Sequence, residues 1–438
     1  MHDVVVAGAG LAGLRCAELL KDAGLDVVVL EARDRVGGRT HSDDVDGARI
    51  DLGAQWLGAG QERLKALAER LGVTTFPTFH QGDKLIEFGG SIKSYSGTIP
   101  ALPILSLLSL ELTIRRTRRA LDPVTVGAPW ESSNAAALDR RTLADWRAQT
   151  LPPGPGRESF DLAMRIVFGA EVEEVSLLQG LHYAKAAGGL MPLVEVEGGA
   201  QQDRFHLGAQ ELSKRLAATL DVRLSTPVRK VRVESDRVVV EDVEARRAVM
   251  ALPLPLVADI EFSPALPFAR TTLSRRSSMG ATTKFFAFYE RAFWRERGLS
   301  GEGISDQEPM CFCIDASQED GSHPALLGFL VGNAARRWGQ EDPQKRSAAV
   351  LDGFARLFGD EARRPIATIE KDWVTETFTG GCPVALMTPG TWSSYGKALT
   401  EPVGRIHWAG TETASEWCGY MEGALQSAER AAAEILTA

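Results

Sequence analysis

The opening stretch from Asp3 to Glu31 constrains this chain more than any other. Asp3 to Ala7, DVVVA, is a short apolar run of strand formers and reads as a buried parallel strand. GAGLAG follows, with glycines at 8, 10 and 13. LAGLRCAELLKDAG is amphipathic at helical spacing and reaches Gly24, a residue suited to a helix end. A second apolar run, DVVVL, ends at Leu30, and Glu31 comes next. Strand, tight turn, helix, strand and acid, in that order, are the context a G-x-G-x-x-G pattern requires. Gly8 allows the turn, Gly10 lets the backbone approach a pyrophosphate, and Gly13 lets the helix pack on the strand. The amino end of the helix carries roughly half a positive charge, which favours phosphate there. Glu31 is placed to accept hydrogen bonds from ribose hydroxyls. The unit predicts an α/β, Rossmann-like fold that binds a dinucleotide.

Bulk properties narrow the rest. The chain has 438 residues, enough for two or more domains or one interrupted by insertions. Its formal net charge of -9 argues against nucleic acid as a partner. Five scattered cysteines (16, 311, 313, 382 and 418) make no disulfide framework, and neither they nor the seven histidines show metal-ligand spacing. A reducing, cytoplasmic location and no metal are the expectations. The first strand starts at once, so no signal peptide is expected, and the chain stops after its last helix, so no tail anchor is expected. LPILSLLSLELTI, Leu102 to Ile114, is shorter than the ~20 residues of a spanning helix and holds Glu111. It reads as an apolar helix covering a pocket or a contact with a second copy in a homodimer. Attachment to a membrane surface, aided by the following RRTRR, is the alternative.

Past residue 76 the nucleotide pattern lapses. A helix is expected from about Gly208 to Leu220, then several short β-runs, the last being AVMALP to Pro253. The cofactor domain is therefore expected in three pieces, 1–76, 196–255 and 381–438. Insertions at 77–195 and 256–380 form an α+β substrate domain.

EARDRVGGRT, with Arg33 and Arg39 around Gly37 and Gly38, is followed by DLGAQWLG. Later come SMGATTKFFAFYERAFW, EKDWVTETFTGGC and RIHWAGTETASEWCGYMEGALQSAERAAAEIL. In these segments, their order and their spacing, nearly the whole chain resembles the flavin-dependent amine oxidases, most closely the monoamine oxidase branch. The resemblance implies FAD in a domain of the glutathione reductase type. It implies that Gly8, Gly10, Gly13, Glu31, Arg33, Gly38 and Arg39 wrap the cofactor, with Val228 at adenine and Gln55 and Trp56 near the ring. Glu412 is implied at the ribityl chain, and the Met421 N–H at the pyrimidine end.

Tyr420 is implied as one wall of the substrate pocket, and Trp373 beside the flavin. Lys284 lies in the apolar run TTKFFAF, where a cation is costly without partners. By resemblance it holds a water at flavin N5 and assists the reaction with O2. Cys382 matches a cysteine that forms a flavin thioether in the mammalian enzymes. Pro383 stands where those enzymes place a second tyrosine. Covalent attachment and a free thiol beside noncovalent FAD both stay open. Gln201, Phe312, Ile314, Phe329 and Pro383 are the further pocket candidates, mostly apolar. The expected reaction is oxidation of a primary or secondary amine to an imine, then an aldehyde, with O2 reduced to hydrogen peroxide. An apolar or aromatic monoamine fits this pocket. The alternatives are an oxidase or desaturase of an amino acid, polyamine or biosynthetic intermediate, and a non-catalytic binding protein of the same fold.

Overall fold

The computed structural model describes residues 1–97 and 102–437. Its first sheet grows from the N-terminal unit. The strand His2–Ala7 pairs in parallel with Val27–Leu30 on one side and Val243–Met250 on the other. Eight strands assemble there. Their order is Asp221–Arg223, Val27–Leu30, His2–Ala7, Val243–Met250, Val238–Val240, Lys230–Val233 and Glu261–Ser263, with Ile406–Trp408 added alongside Val243–Met250. Val4, Val5, Val6 and Ala7 are all buried, as a parallel strand covered on both faces demands. The run ending in AVMALP thus supplies a central strand. Glu261–Ser263 also joins this sheet, beyond the break expected at residue 255. The helix expected near Gly208 runs from Gln210 to Ala217.

The helix Leu11–Asp22 packs against the closing helix Met421–Thr437 in one core that includes Leu14, Ala17, Leu425 and Ala428. Gly13 is buried in that helix, against the turn before it. A Cβ built there would stand 1.9 Å from the Gly8 carbonyl oxygen. Gly13→Ala therefore forces the helix off the sheet. Overpacking of backbone against backbone is expected to cost about 3 kcal/mol. The checks are the denaturation midpoint and the flavin content of the purified variant, both of which should fall.

A second sheet lies on the far side of the molecule's main cavity. Its seven strands are ordered Ala367–Asp372, Thr282–Phe288, Ala325–Val331, Phe312–Asp315, Leu299–Ser305, Asp83–Phe88 and Ser91–Tyr95. The register aligns Lys284 with Phe329, Phe329 with Phe312, Phe312 with Ile304, and Ile304 with Ile86. Residues directly opposite on neighbouring strands share a face. This row of five crosses four strand spacings, roughly 19 Å, and forms one wall of the cavity. Helices Ile104–Leu121, Pro155–Phe168 and Leu177–Ala186 contribute the facing wall. From Ile104 onward the apolar stretch Leu102 to Ile114 is thus the first part of an 18-residue helix that continues through the arginines. Among the described residues no helix is long and apolar enough to cross a membrane.

Candidate active site

One cavity of about 870 Å³ runs from the turn at Gly8 to the row headed by Lys284. Its narrow end is built by the βαβ unit. Gly8 has φ +102°, and a Cβ there would meet the Ala251 carbonyl at 2.6 Å. Gly10 differs: a Cβ on it would meet nothing closer than the Gly37 oxygen at 4.0 Å, because it faces the open cavity. Bare backbone at the start of a helix is what a diphosphate needs for close approach. Glu31 ends its strand on the cavity wall, one oxygen accepting the Ala9 N–H at 2.8 Å and the other the Arg33 N–H at 2.9 Å. Gly38 and Val228 also line this end. The wall therefore fits the adenine, ribose and diphosphate portion of FAD.

The arginines expected to face the diphosphate are already engaged. Arg33 donates to Glu376 at 2.9 Å and to the Thr379 hydroxyl at 2.5 Å. Burial would raise the Glu376 carboxyl, but Lys371 and Arg33 outweigh it and bring it to about 2. Arg39 donates to both oxygens of Glu412, at 2.7 and 3.2 Å, and to the Pro383 carbonyl at 2.8 Å. Glu412 also accepts the Ala385 N–H at 3.2 Å. Glu412 is buried and bonded to Arg39, and its neighbours Gly410 and Thr411 line the cavity wall. Burial pushes the Glu412 carboxyl upward, yet Arg39 prevails and holds it below the usual range. Gly13 sits behind the wall, supporting Gly8.

Gln55, Trp56 and Met421 line the middle of the cavity. Met421 is the first residue of its helix, where amides lack intrahelical acceptors and remain available to a ligand.

Lys284 is buried and donates to the Asp51 carbonyl at 2.6 Å, the Gly53 carbonyl at 2.9 Å and the Gln55 side-chain oxygen. Three acceptors use all three N–H groups of an ammonium. A neutral amine has one fewer, and of the three partners only Gln55 can turn its amide to donate instead. Burial pushes the Lys284 amine down to about 7, against the pull of Asp51 and Cys382, and Arg204 adds to the fall. Trp373 is buried beside it, its indole N–H held by the Leu52 carbonyl at 2.8 Å.

Tyr420 forms the opposite side of this end. Its ring lies 5.8 Å from that of Tyr183, and both residues line the cavity. Sequence reading missed Tyr183. It sits in GLHYAKAAGG, which has no local sign of function. Its contact explains Gly419, where a Cβ would stand 2.5 Å from the Tyr183 hydroxyl. Cys382 and Pro383 reach the same end, where Tyr183 stands against Tyr420 from the helix Leu177–Ala186. Burial pushes the Cys382 thiol up to about 12, although Thr282, Arg39 and Lys284 all favour the thiolate.

Gln201, Phe312 and Phe329 lie on the wall as expected. Ile314 does not. It is 1% exposed and packs in the core with Leu162, Val196 and Leu327. The outer end carries charge that sequence reading did not find. Lys84 and Glu302 pair at 3.0 Å there, with Tyr95 alongside. Burial holds the Glu302 carboxyl above its usual range despite Lys84. The wall arginines, Arg33, Arg39 and Arg229, all belong to the cofactor side.

Comparison with known proteins follows this geometry. A family model described as flavin containing amine oxidoreductase matches residues 11–436. The chain is 38% identical over 444 residues to a probable flavin-containing monoamine oxidase A of Dictyostelium discoideum, spanning 99% of this chain and 97% of that one. Cyclohexylamine oxidase from Brevibacterium oxydans superposes with a TM-score of 0.95 at 33% identity, over 100% of this chain and 99% of that one. A putrescine oxidase bound to putrescine superposes equally, 0.95 at 31% identity, with the same coverage. Each likeness extends over both sheets and the cavity between them.

Proposed function

The chain belongs to the flavin-containing amine oxidoreductase family, and from that premise we propose that its substrate is an apolar or aromatic monoamine, primary or secondary. It is an FAD-dependent amine oxidase. For a primary amine, the amine, O2 and water give an aldehyde, ammonia and hydrogen peroxide. Bound FAD would supply the redox chemistry, a two-electron acceptor for the amine that O2 can reoxidise. The chain's own residues position and exclude. Gly8, Gly10, Glu31, Arg33, Gly38 and Val228 hold the nucleotide portion. Gln55, Trp56 and Met421 would hold the ring portion, on the wall where Glu412 fixes Arg39. Tyr420, Tyr183 and Trp373 confine the amine, and their apolar surroundings favour its neutral form. With its three N–H groups taken by Asp51, Gly53 and Gln55, Lys284 acts through its charge and stabilises the negative charge that develops on oxygen, rather than holding a water itself.

The observation that carries the substrate reading is the chamber beyond Lys284. Phe329, Phe312, Ile304 and Ile86 pave it, no arginine faces it among the described residues, and of its two outer carboxylates, Glu195 and Glu302, the latter pairs with Lys84. An amino-acid carboxylate would find no guanidinium there, and a second ammonium would meet Lys84. Segments 77–195 and 256–380 supply this chamber, and 1–76, 196–255 and 381–438 the cofactor side, with Glu261–Ser263 attached to the latter sheet. Five free cysteines, four of them buried, suit a reducing cytoplasm. Anaerobic titration tests the substrate class. Arylalkyl and cycloaliphatic monoamines should bleach the yellow protein, while diamines and amino acids should not. Bleaching by amino acids alone would overturn the assignment.

Cys382 gives a separate prediction. Thioether formation needs a thiolate, and burial at this position keeps the proton on sulfur. After acid precipitation the flavin colour is expected in the supernatant, and Cys382→Ala should retain full flavin content. Colour that stays with the pellet would establish the covalent bond instead.

A further inference from the structure

Three buried charges stand near the reactive end of the cavity. Lys284 is 4% exposed, and Asp51 and Arg204 are 5% exposed each. Among the described residues none of the three forms an ion pair, and a buried charge is costly unless something compensates it. Asp51 meets the lysine directly, its main-chain carbonyl accepting the Lys284 ammonium at 2.6 Å. Its carboxylate accepts the Ser42 hydroxyl at 2.5 Å and the Ala209 N–H at 2.9 Å. Ala209 stands at the amino end of the helix Gln210–Ala217, where negative charge is favoured. Both donors are neutral. The cations facing this carboxylate are Lys284 and Arg204. Burial raises it, while Ser42, Lys284, the Ala209 N–H and Arg204 favour its charged form.

Arg204 lies on the strand Asp203–Phe205, opposite Trp56, whose ring centroid is 5.9 Å from the Lys284 ammonium. It donates to the Ser317 carbonyl at 2.8 Å, while its Nε is buried without a partner. Asp315, the other carboxylate facing it, is already held by Arg295 at 2.6 and 2.9 Å. Arg204 is therefore a guanidinium whose attraction for Asp51 is not spent elsewhere. The other neighbours of Lys284 are neutral or paired. Burial keeps Cys382 a thiol. Lys371, opposite Lys284 on the adjoining strand, bonds to Glu376. Phe286 and Phe329 contribute ring faces.

We propose that Asp51 is the counter-ion that keeps Lys284 charged during reoxidation, and that Arg204 opposes it by repelling Lys284 and drawing on the same carboxylate. Both are positioning residues that act through Lys284, with opposite sign, and the proposal rests on the role given to Lys284 above. The test is the pH profile of reoxidation of the flavin-loaded protein, where a step at about 7 reports the Lys284 charge. Asp51→Asn keeps the main-chain carbonyl and an acceptor for Ser42 and Ala209 but removes the charge. Its step should move down by about one pH unit, which slows reoxidation at the wild-type midpoint about fivefold. Arg204→Met should move the step up by about one unit. The apoprotein supplies a readout without flavin. Measured against the same variants carrying Lys284→Met, the stability gained on the alkaline side should begin at lower pH in Asp51→Asn and at higher pH in Arg204→Met. A purely structural disturbance would not displace the two in opposite directions. A step left in place or moved the wrong way in either variant would overturn the proposal, as would an equal displacement in anaerobic reduction by the amine. If the wild-type step vanishes in Lys284→Met but stays fixed in Asp51→Asn, the counter-ion alone is wrong. If the wild type shows no step, the role of Lys284 fails with it.

Discussion

Lys284→Met is expected to slow reoxidation of the reduced enzyme by about 100-fold, the scale on which a single well-placed electrostatic group acts. Reduction by the amine should change by less than about threefold, because Lys284 belongs to the sheet wall and Tyr420 and Tyr183 confine the substrate. Stopped-flow measurement of the two half-reactions separates the effects. The pH dependence carries its own sign. The Lys284 amine sits at about 7, so the cation is present below that value and lost above it. Wild-type reoxidation should therefore fall as pH rises through about 7, and the methionine variant should show no such step. Gln55 enters the same experiment. In the charged state its side-chain oxygen completes the set of three acceptors, so Gln55→Leu leaves the ammonium one partner short and should move the step to lower pH. The site also affects stability, with the sign that follows from a depressed amine. Between about 7 and the ordinary 10.5 the unfolded chain binds the extra proton, so the wild type gains stability over that window as pH rises. Unchanged oxygen reactivity in Lys284→Met would remove this residue from the mechanism.

What sequence conveyed about this site depended on how local each feature was. The βαβ unit was legible because strand, glycine turn, helix and acid follow one another within thirty residues, and each has its own chemical signature. Lys284 was legible because a cation inside TTKFFAF contradicts its surroundings. Tyr183 was not, because an aromatic in a buried helix looks the same whether it meets a substrate or a core. Ile314 shares a strand face with Phe312, and resemblance to the family implied both as pocket residues. The cavity, however, follows the Lys284–Phe329–Phe312–Ile304–Ile86 row across the strands, and Ile314 lies off that row. The Lys84–Glu302 pair joins strands whose pairing is set only by the finished sheet. Glu412 was recognised as functional, yet its partner Arg39 lies 373 positions away. Only folding shows that the acid serves a cation before it serves a cofactor.

That pairing leads to the other large expected effect. Glu412→Gln keeps the shape and hydrogen-bonding capacity of the side chain but removes its charge. Arg39, its side chain 24% exposed on the cavity wall, is then left as a partly buried cation with the Pro383 carbonyl and a neutral amide. Removing one partner of a fully buried pair costs about 3–5 kcal/mol, and the partial exposure of Arg39 puts the expected loss at the lower end, about 3 kcal/mol. The loss should appear in the denaturation of the apoprotein, before any cofactor is considered. This distinguishes the observed geometry from a direct contact with FAD, which would lower cofactor affinity while leaving apoprotein stability intact. Arg39→Met combined with Glu412→Gln should recover part of the loss, because the stranded charge is gone. The acid limb gives an independent sign. The folded carboxyl lies below its ordinary value of 4.5, so its contribution is complete above that pH and disappears as pH falls through the folded value. The wild type should lose its advantage over Glu412→Gln on that acid limb. Flavin retention should follow the same order, since Arg39 ties the Cys382–Pro383 segment to the closing junction through the Pro383 carbonyl, and that junction delivers Tyr420 and Met421 to the cavity.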